Sequence, residues 1–560
     1  MIATASFIAC SCALLTLAAP APAPVPDSDV IARAAVAARA GLTPYQPVPT
    51  TCPTTPLVRP ATGINSQEST YVSLRRAKAG AALASWLKKQ GNFTTASQPV
   101  VGLSSSGGGY RSLLESAGVV QAFDGRDSTA NVSGVYQSLT YHAGLSGGAW
   151  FLSSLAGNNF PTVSYLRDNL WEQAFQNSLL LPANILSTSA ATEYALITSD
   201  ITSKQAANYD VSVVDPYGRL LSYQLLQGYD GGVGTYLSSV ATFSNFSSYS
   251  VPYPVITALG ALVSKGQCAP PINATQYEFG PYEFGSWDAG VSAFTQTKYL
   301  GSNLSNGTPV LPGVCTVQYD NLGYIFGTSS DVFPGACQVI PPSNSSSAPL
   351  AQVLEGFVSA AKAPAVTDLY GLYRNPFFNY SRSSLVKSDK ELTLADGGLA
   401  GQNNPIWPFI QPARSIDVLI VNDNSADTSD NFPNGTEIRQ TYLNAQAAGL
   451  KKMPYVPDVA TFVSQGLNKR ATFFGCNETG TTFIVFLPNV NYTYPSNQPT
   501  SKLQYSVAET DGMIANGNAI ATQNGAKGWS FCLACAVKNK DTTKLPAGCN
   551  ACFSKYCYKR

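Results

Sequence analysis

Histidine is almost missing from this chain: His142 is the single one in 560 residues. The scarcity matters because a serine-hydrolase elbow, Gly144-Leu145-Ser146-Gly147-Gly148, stands in the same stretch. A serine hydroxyl is a poor nucleophile until a base takes its proton, and imidazole usually does so. His142 precedes Ser146 by four residues, on the strand that enters the elbow and runs down beneath it, so it is badly placed for that role. A histidine-based triad is therefore disfavoured. Either Ser146 is not catalytic, or its base is another group.

Charge is scarce as well. Charged residues make up 12% of the chain and the formal net charge is +1, which argues against a nucleic-acid groove or a polyanionic partner. A long uncharged apolar run is found at Ile2–Ala19, before Pro20-Ala21-Pro22-Ala23-Pro24. Residues 1–19 read as a secretory signal, near the lower length limit of a spanning helix, and 20–42 as a linker or pro-segment. The carboxyl end, Phe553 to Arg560, has no apolar tail, which argues against a lipid anchor of the GPI type. No stable membrane anchor is expected.

Cysteine, by contrast, is well represented. Cys10 and Cys12 fall in the signal, leaving Cys52, Cys268, Cys315, Cys337, Cys476, Cys532, Cys535, Cys549, Cys552 and Cys557. The even number is compatible with five disulfides in an oxidising compartment, with pairing open. Cys-x-x-Cys pairs in the 530–560 tail suit zinc in principle, but the export signal favours a disulfide knot. Acceptor sequons stand at Asn92, Asn131, Asn245, Asn273, Asn303, Asn306, Asn344, Asn379, Asn434, Asn477 and Asn491. Signal, cysteines and sequons together predict a secreted, extracellular glycoprotein.

The hydrophobic share of 44% suffices for a large core. Tyr45 to Pro60, rich in Pro and Thr, should run extended over the surface. Ser66 to Gln90 has helical periodicity through Tyr71, Leu74, Ala77, Ala81, Leu83 and Leu87. Pro99–Leu103 reads as a strand, followed by Ser106-Gly107-Gly108-Gly109-Tyr110-Arg111 and an apolar helix. The unit recurs with Tyr136–Tyr141 as strand, the elbow, and Ala149–Leu155 as helix. Two such units predict an α/β fold with a central, largely parallel sheet and flanking helices. Leu392–Ala395, Ile416–Val421 and Phe483–Leu487 look like further strands. Residues from about 160 to 385 lack the alternation and read as cap-like insertions.

The chemistry rests on three elements. A lone G-x-S-x-G is weak and is often only a glycine-rich turn; its place between strand and helix raises the catalytic reading. Three glycines at a helix start aim backbone N–H groups at open space, which suits an oxyanion or phosphate. The loop lacks the Lys-Ser/Thr ending of a P-loop and the spacing of a dinucleotide fold. Arg111 can fork a phosphate or serve a structural salt bridge. Ala395-Asp396-Gly397-Gly398 is by itself an ordinary turn, but with no usable histidine Asp396 is the leading base.

In this order, GLSSSGGGYRS (102–112), AGLSGGAW (143–150) and LADGGLAGQNNPIWPFIQPARSIDVLIVNDNSADT (394–428) resemble the fungal lysophospholipase/phospholipase B family. That family shares its catalytic module with cytosolic phospholipases A and, more distantly, with patatins. The likeness includes CPTTPLVRPATG (52–63) and the cysteine-rich tail, so a catalytic domain is expected over 43–560. The resemblance implies a Ser-Asp dyad of Ser146 and Asp396, oxyanion amides at Gly108 and Gly109, and a phosphate contact at Arg111. It implies a lysophospholipid or phospholipid substrate in micelles or membranes, with no cofactor and no metal. His142, Ala149 and Leu399-Ala400 depart from the family pattern. A secreted esterase of other specificity, or an inactive glycoprotein on the same scaffold, stays open here.

Overall fold

The computed structural model describes residues 43–94, 98–179, 188–263, 270–338, 369–539 and 545–560. The signal, the 20–42 segment, Cys268 and Asn344 lie outside the described residues, as does the Cys337 side chain.

The chain enters through strands β1 (Val48–Thr51) and β2 (Val58–Pro60) and helix α1 (Ser66–Gln90). Asn65 caps α1 by accepting the Gln67 N–H, and its buried stripe is Tyr71, Arg75, Ala79, Leu83, Trp86 and Leu87. Leu74, Ala77 and Ala81, expected on that stripe, are exposed. Arg75 replaces them because its guanidinium donates to Leu139 O and Gln137 O, tying the helix to the start of a strand.

Two βα units follow: β3 (Val101–Ser105) with α2 (Gly109–Phe123), and β4 (Leu139–Gly144) with α3 (Gly147–Gly157). Every residue of β3 and β4 is buried, as strands covered on both faces must be. The strand expected from Tyr136 starts only at Leu139, since Val135–Ser138 make a helical turn.

Part of the 160–385 region, read as cap-like insertions, joins the sheet, as β5 (Tyr253–Ala261), β6 (Gln276–Phe279), β7 (Glu283–Ser286) and β8 (Ala293–Gln296). These are antiparallel neighbours, so strand-helix alternation does not mark them. β9 (Val314–Val317) pairs with β1, and Cys52–Cys315 staples that pair. Helices α4 (Val214–Leu225) and α5 (Leu322–Ser329) also belong to this region.

The remaining strands of the large sheet are β10 (Gly371–Arg374), β11 (Glu391–Ala395), β12 (Val418–Asp423), β13 (Thr472–Phe474) and β14 (Phe483–Pro488). Among the described residues the sheet has twelve strands in the order β13-β14-β12-β3-β4-β5-β6-β7-β8-β2, with β11 also on β5 and β10 on β11. Its centre, β14-β12-β3-β4-β5, is parallel. Antiparallel pairs extend it on both sides, giving a mixed sheet. Cys532–Cys552 and Cys535–Cys549 join the tail helices Trp529–Val537 and Cys549–Tyr556, and Cys476–Cys557 ties down the end. The tail cysteines are thus disulfides, not zinc ligands.

Candidate active site

Strands β4 and β11 share β5 but run toward each other. β4 is parallel to β5 and ends with Gly144 opposite Ile256, whereas β11 is antiparallel and ends with Ala395 opposite Leu259. The residues just beyond these ends, Ser146 and Asp396, therefore meet.

Ser146 has φ of 53°, in the left-handed region that a side chain with Cβ rarely adopts. The neighbourhood holds it there. Its N–H donates to Ser329 Oγ at 3.0 Å, and that hydroxyl donates to Thr257 O at 2.7 Å. Trp150 Nε1, one turn into α3, donates to Ser330 Oγ at 2.8 Å. The end of α5 thus clasps the elbow.

Asp396 is 3% exposed. Its N–H donates to Asp331 O at 3.0 Å, and its Oδ1 accepts the Gly398 N–H at 2.8 Å. Burial pushes its carboxyl up to about 6, while hydrogen-bonding contact with the Ser146 hydroxyl and the Gly398 amide pulls the other way. The result is a carboxylate with more proton affinity than a free one, beside the serine oxygen.

The glycine-rich loop lies on the other side of Ser146. A methyl group on Gly107 would stand 2.9 Å from Ser146 Cβ, and one on Gly147 would stand 2.0 Å from the Gly109 carbonyl oxygen. Gly108 and Gly109 have φ of 139° and 59° and form the head of α2. Among the described residues, neither of their N–H groups donates to a protein acceptor. Two free amides at a helix N-terminus beside a serine oxygen suit a developing oxyanion.

Arg111 is placed less openly than expected. It is 1% exposed, with Nε donating to Asn424 O at 2.9 Å, Nη1 to Gln498 O at 2.5 Å and Nη2 to Thr500 Oγ1 at 3.1 Å. The guanidinium lies directly against Gly108. Burial lowers its pKa only to about 10, so it stays charged at neutral pH. His142 is buried inside β4 with Nε2 3.0 Å from Ser105 Oγ, between the rings of Tyr136 and Phe151. Burial pushes its pKa down to about 3, so it is neutral.

Ser329, Asn403 and Glu437 belong to the cluster but were not singled out from sequence. Asn403 Nδ2 donates to Gly107 O at 3.1 Å and its N–H to Glu437 Oε2 at 2.8 Å. Asn403 lies inside the third quoted motif, which was the available signal; nothing in the local sequence marks Ser329. Among the described residues no cluster of three His, Cys, Asp or Glu could hold a metal ion, and no helix is long and apolar enough to cross a membrane. A cavity of about 600 Å³ opens beside Gly260, Tyr277 and Leu392, but it is lined by none of the Ser146 cluster.

Comparison with known proteins adds an independent line. Residues 101–560 match the family model described as the lysophospholipase catalytic domain. Lysophospholipase 2 of Aspergillus fumigatus is 38% identical over 554 residues, covering 92% of this chain and 93% of that protein. A lysophospholipase of Kluyveromyces lactis is 36% identical, covering 90% of this chain and 84% of its own length. Among solved structures, human GIVD cytosolic phospholipase A2 superposes with a TM-score of 0.63 at 17% identity, over 89% of this chain and 73% of that one. At that identity the likeness concerns the fold. A second structure of the human protein is a complex with methyl gamma-linolenyl fluorophosphonate, with a TM-score of 0.61 over 88% of this chain and 70% of that one.

Proposed function

The chain belongs to the lysophospholipase family and is a carboxylic ester hydrolase, and from that premise we propose that a Ser146–Asp396 dyad releases fatty acids from (lyso)glycerophospholipids. Asp396 takes the Ser146 proton as the hydroxyl oxygen attacks the ester carbonyl. The Gly108 and Gly109 amides receive the negative charge that develops on the carbonyl oxygen. Collapse expels the glycerol oxygen, which takes the proton from Asp396 and leaves an acyl-serine. Water, deprotonated by the same carboxylate, then cleaves the acyl-serine and regenerates Ser146. Arg111 attracts the substrate phosphate with its fixed charge and the N–H groups not spent on Asn424, Gln498 and Thr500.

The observation that carries this reading is the meeting of Ser146 with a carboxylate of raised proton affinity, while the sole imidazole is neutral and sealed in the sheet. Secretion as a glycoprotein is part of the proposal. Disulfides and the exposed acceptors Asn92, Asn131, Asn273, Asn303, Asn306, Asn379, Asn477 and Asn491 support it.

The test uses purified protein, lysophosphatidylcholine and an alkyl fluorophosphonate of the class bound by the human relative. Fatty acid and glycerophosphocholine should appear in equal amounts, the reagent should label Ser146, and Ser146→Ala should abolish both. Turnover by the Ser146→Ala protein at the parent rate would remove Ser146 from the mechanism.

A further inference from the structure

Two amide donors stabilise an oxyanion only if the loop carrying them is fixed before the reaction begins. Three successive glycines work against this, because glycine loses the most backbone freedom on being ordered. The loop is tied at both ends. Ser106 N–H donates to Asn422 O at 3.1 Å, Ser106 Oγ accepts the Asn424 N–H at 2.6 Å, and Ser106 O accepts from the Ser112 hydroxyl. From Gly109 onward, α2 carries the chain.

Gly107 stands between, and its connections are unusual. Its N–H donates to Asn403 O at 3.0 Å and its carbonyl accepts from Asn403 Nδ2 at 3.1 Å. The other bond to that carbonyl comes from the adjacent Ser106 hydroxyl, at 3.2 Å, within the loop itself. Asn403 is thus the hydrogen-bonded tie between Gly107 and the rest of the protein among the described residues.

Asn403 is braced in turn. Its N–H donates to Glu437 Oε2 at 2.8 Å, and Nδ2 donates to Ser425 Oγ at 2.7 Å. The Ser425 hydroxyl spends its hydrogen on Asp423 Oδ1 at 2.6 Å, so toward Asn403 it can only accept. A carbonyl and an acceptor hydroxyl therefore both need a hydrogen from one side chain, and a terminal amide supplies two. Asparagine meets that demand; aspartate, of nearly the same shape, has no hydrogen to give when ionised. Asn403 also follows Asp396 by seven residues in one turn, and a methyl group on Gly398 of that turn would stand 3.2 Å from Asn403 Oδ1. Base and clamp are delivered by the same segment.

We propose that Asn403 is a positioning residue for ester hydrolysis: it pins Gly107 so that the Gly108 and Gly109 amides stay aimed at the ester oxygen, in register with Asp396. The inference rests on the Ser146 reading above. It predicts an effect confined to the transition state, because the ester carbonyl needs the amides most when charge develops.

The experiment compares Asn403→Asp and Asn403→Ala with the parent on lysophosphatidylcholine. Rates are expressed per site labelled by the fluorophosphonate, so that unfolded protein does not count. In both variants kcat should fall about a hundredfold, the scale of losing one oxyanion donor, while KM stays within about threefold. Labelling of Ser146 should reach full stoichiometry but more slowly. Parent-like kcat in both variants, or a loss wholly in KM, would overturn the role of Asn403. Undiminished turnover by Ser146→Ala would instead overturn the underlying reading, whatever the Asn403 variants do.

Discussion

The α-carbon of Gly147 faces the backbone of Gly109 so closely that a methyl group would stand 2.0 Å from the Gly109 carbonyl oxygen and 2.7 Å from its nitrogen. The residue after the proposed nucleophile and the residue carrying the second proposed oxyanion amide are thus packed backbone against backbone. Gly147→Ala must push the two apart, because neither neighbour is a flexible side-chain end. Turnover should drop more than about a hundredfold, with a stability cost of about 1–3 kcal/mol. Steady-state kinetics and thermal unfolding check both numbers.

Acid should switch the enzyme off through Asp396. As the proposed base, Asp396 must be ionised, and burial holds its carboxyl up at about 6. Below that pH, log kcat/KM should fall with unit slope. A limb near 4 in the pH profile would mean that the working carboxylate is an exposed one.

The same burial makes a linked stability prediction. Raising a carboxyl from 3.8 to about 6 makes its ionised form in the folded protein costly by about 3 kcal/mol. The cost is absent below pH 3.8, sets in between 3.8 and 6, and is complete above. Asp396→Asn should therefore unfold at a higher temperature than the parent at pH 8, and at the same temperature at pH 3.5. A variant less stable at pH 8 would contradict the assignment of burial as the cause.

His142→Leu should stay active. The ring is neutral and contributes one hydrogen bond to Ser105, so the substitution costs about 1 kcal/mol and leaves the pH profile unmoved. A hundredfold loss of kcat at unchanged stability would bring back a histidine base.

Arg111→Ala separates two jobs of one side chain. Loss of its bonds to Gln498 O and Thr500 Oγ1 affects every ester, whereas loss of a phosphate contact affects phospholipids alone. We expect kcat/KM to fall about tenfold further on lysophosphatidylcholine than on a monoacylglycerol. Equal losses would leave Arg111 only its bonds to the protein.

Legibility followed the locality of the signal. The two βα units could be read because strand, glycines and helix adjoin in sequence, and so could α1 from its apolar spacing. The β5–β8 meander was missed because neighbouring antiparallel strands lack the strand-helix alternation that marks parallel units. Asp396 was legible chiefly through motif order, an Asp-Gly-Gly turn being commonplace, and its proximity to Ser146 depends on β11 pairing antiparallel with β5. Ser329 was invisible, since the amide it receives lies 183 residues away. The place of Arg111 beside Gly108 follows from adjacency in sequence, but its engagement with Gln498 and Thr500 depends on contacts nearly 390 residues distant.

The central claim is that a buried carboxylate performs the proton transfer usually given to imidazole. Its most direct test is fatty-acid release from lysophosphatidylcholine by Asp396→Asn, with folded protein counted by thermal unfolding. The account predicts that kcat falls about a thousandfold or more while the protein remains folded. Release at the parent rate would contradict it.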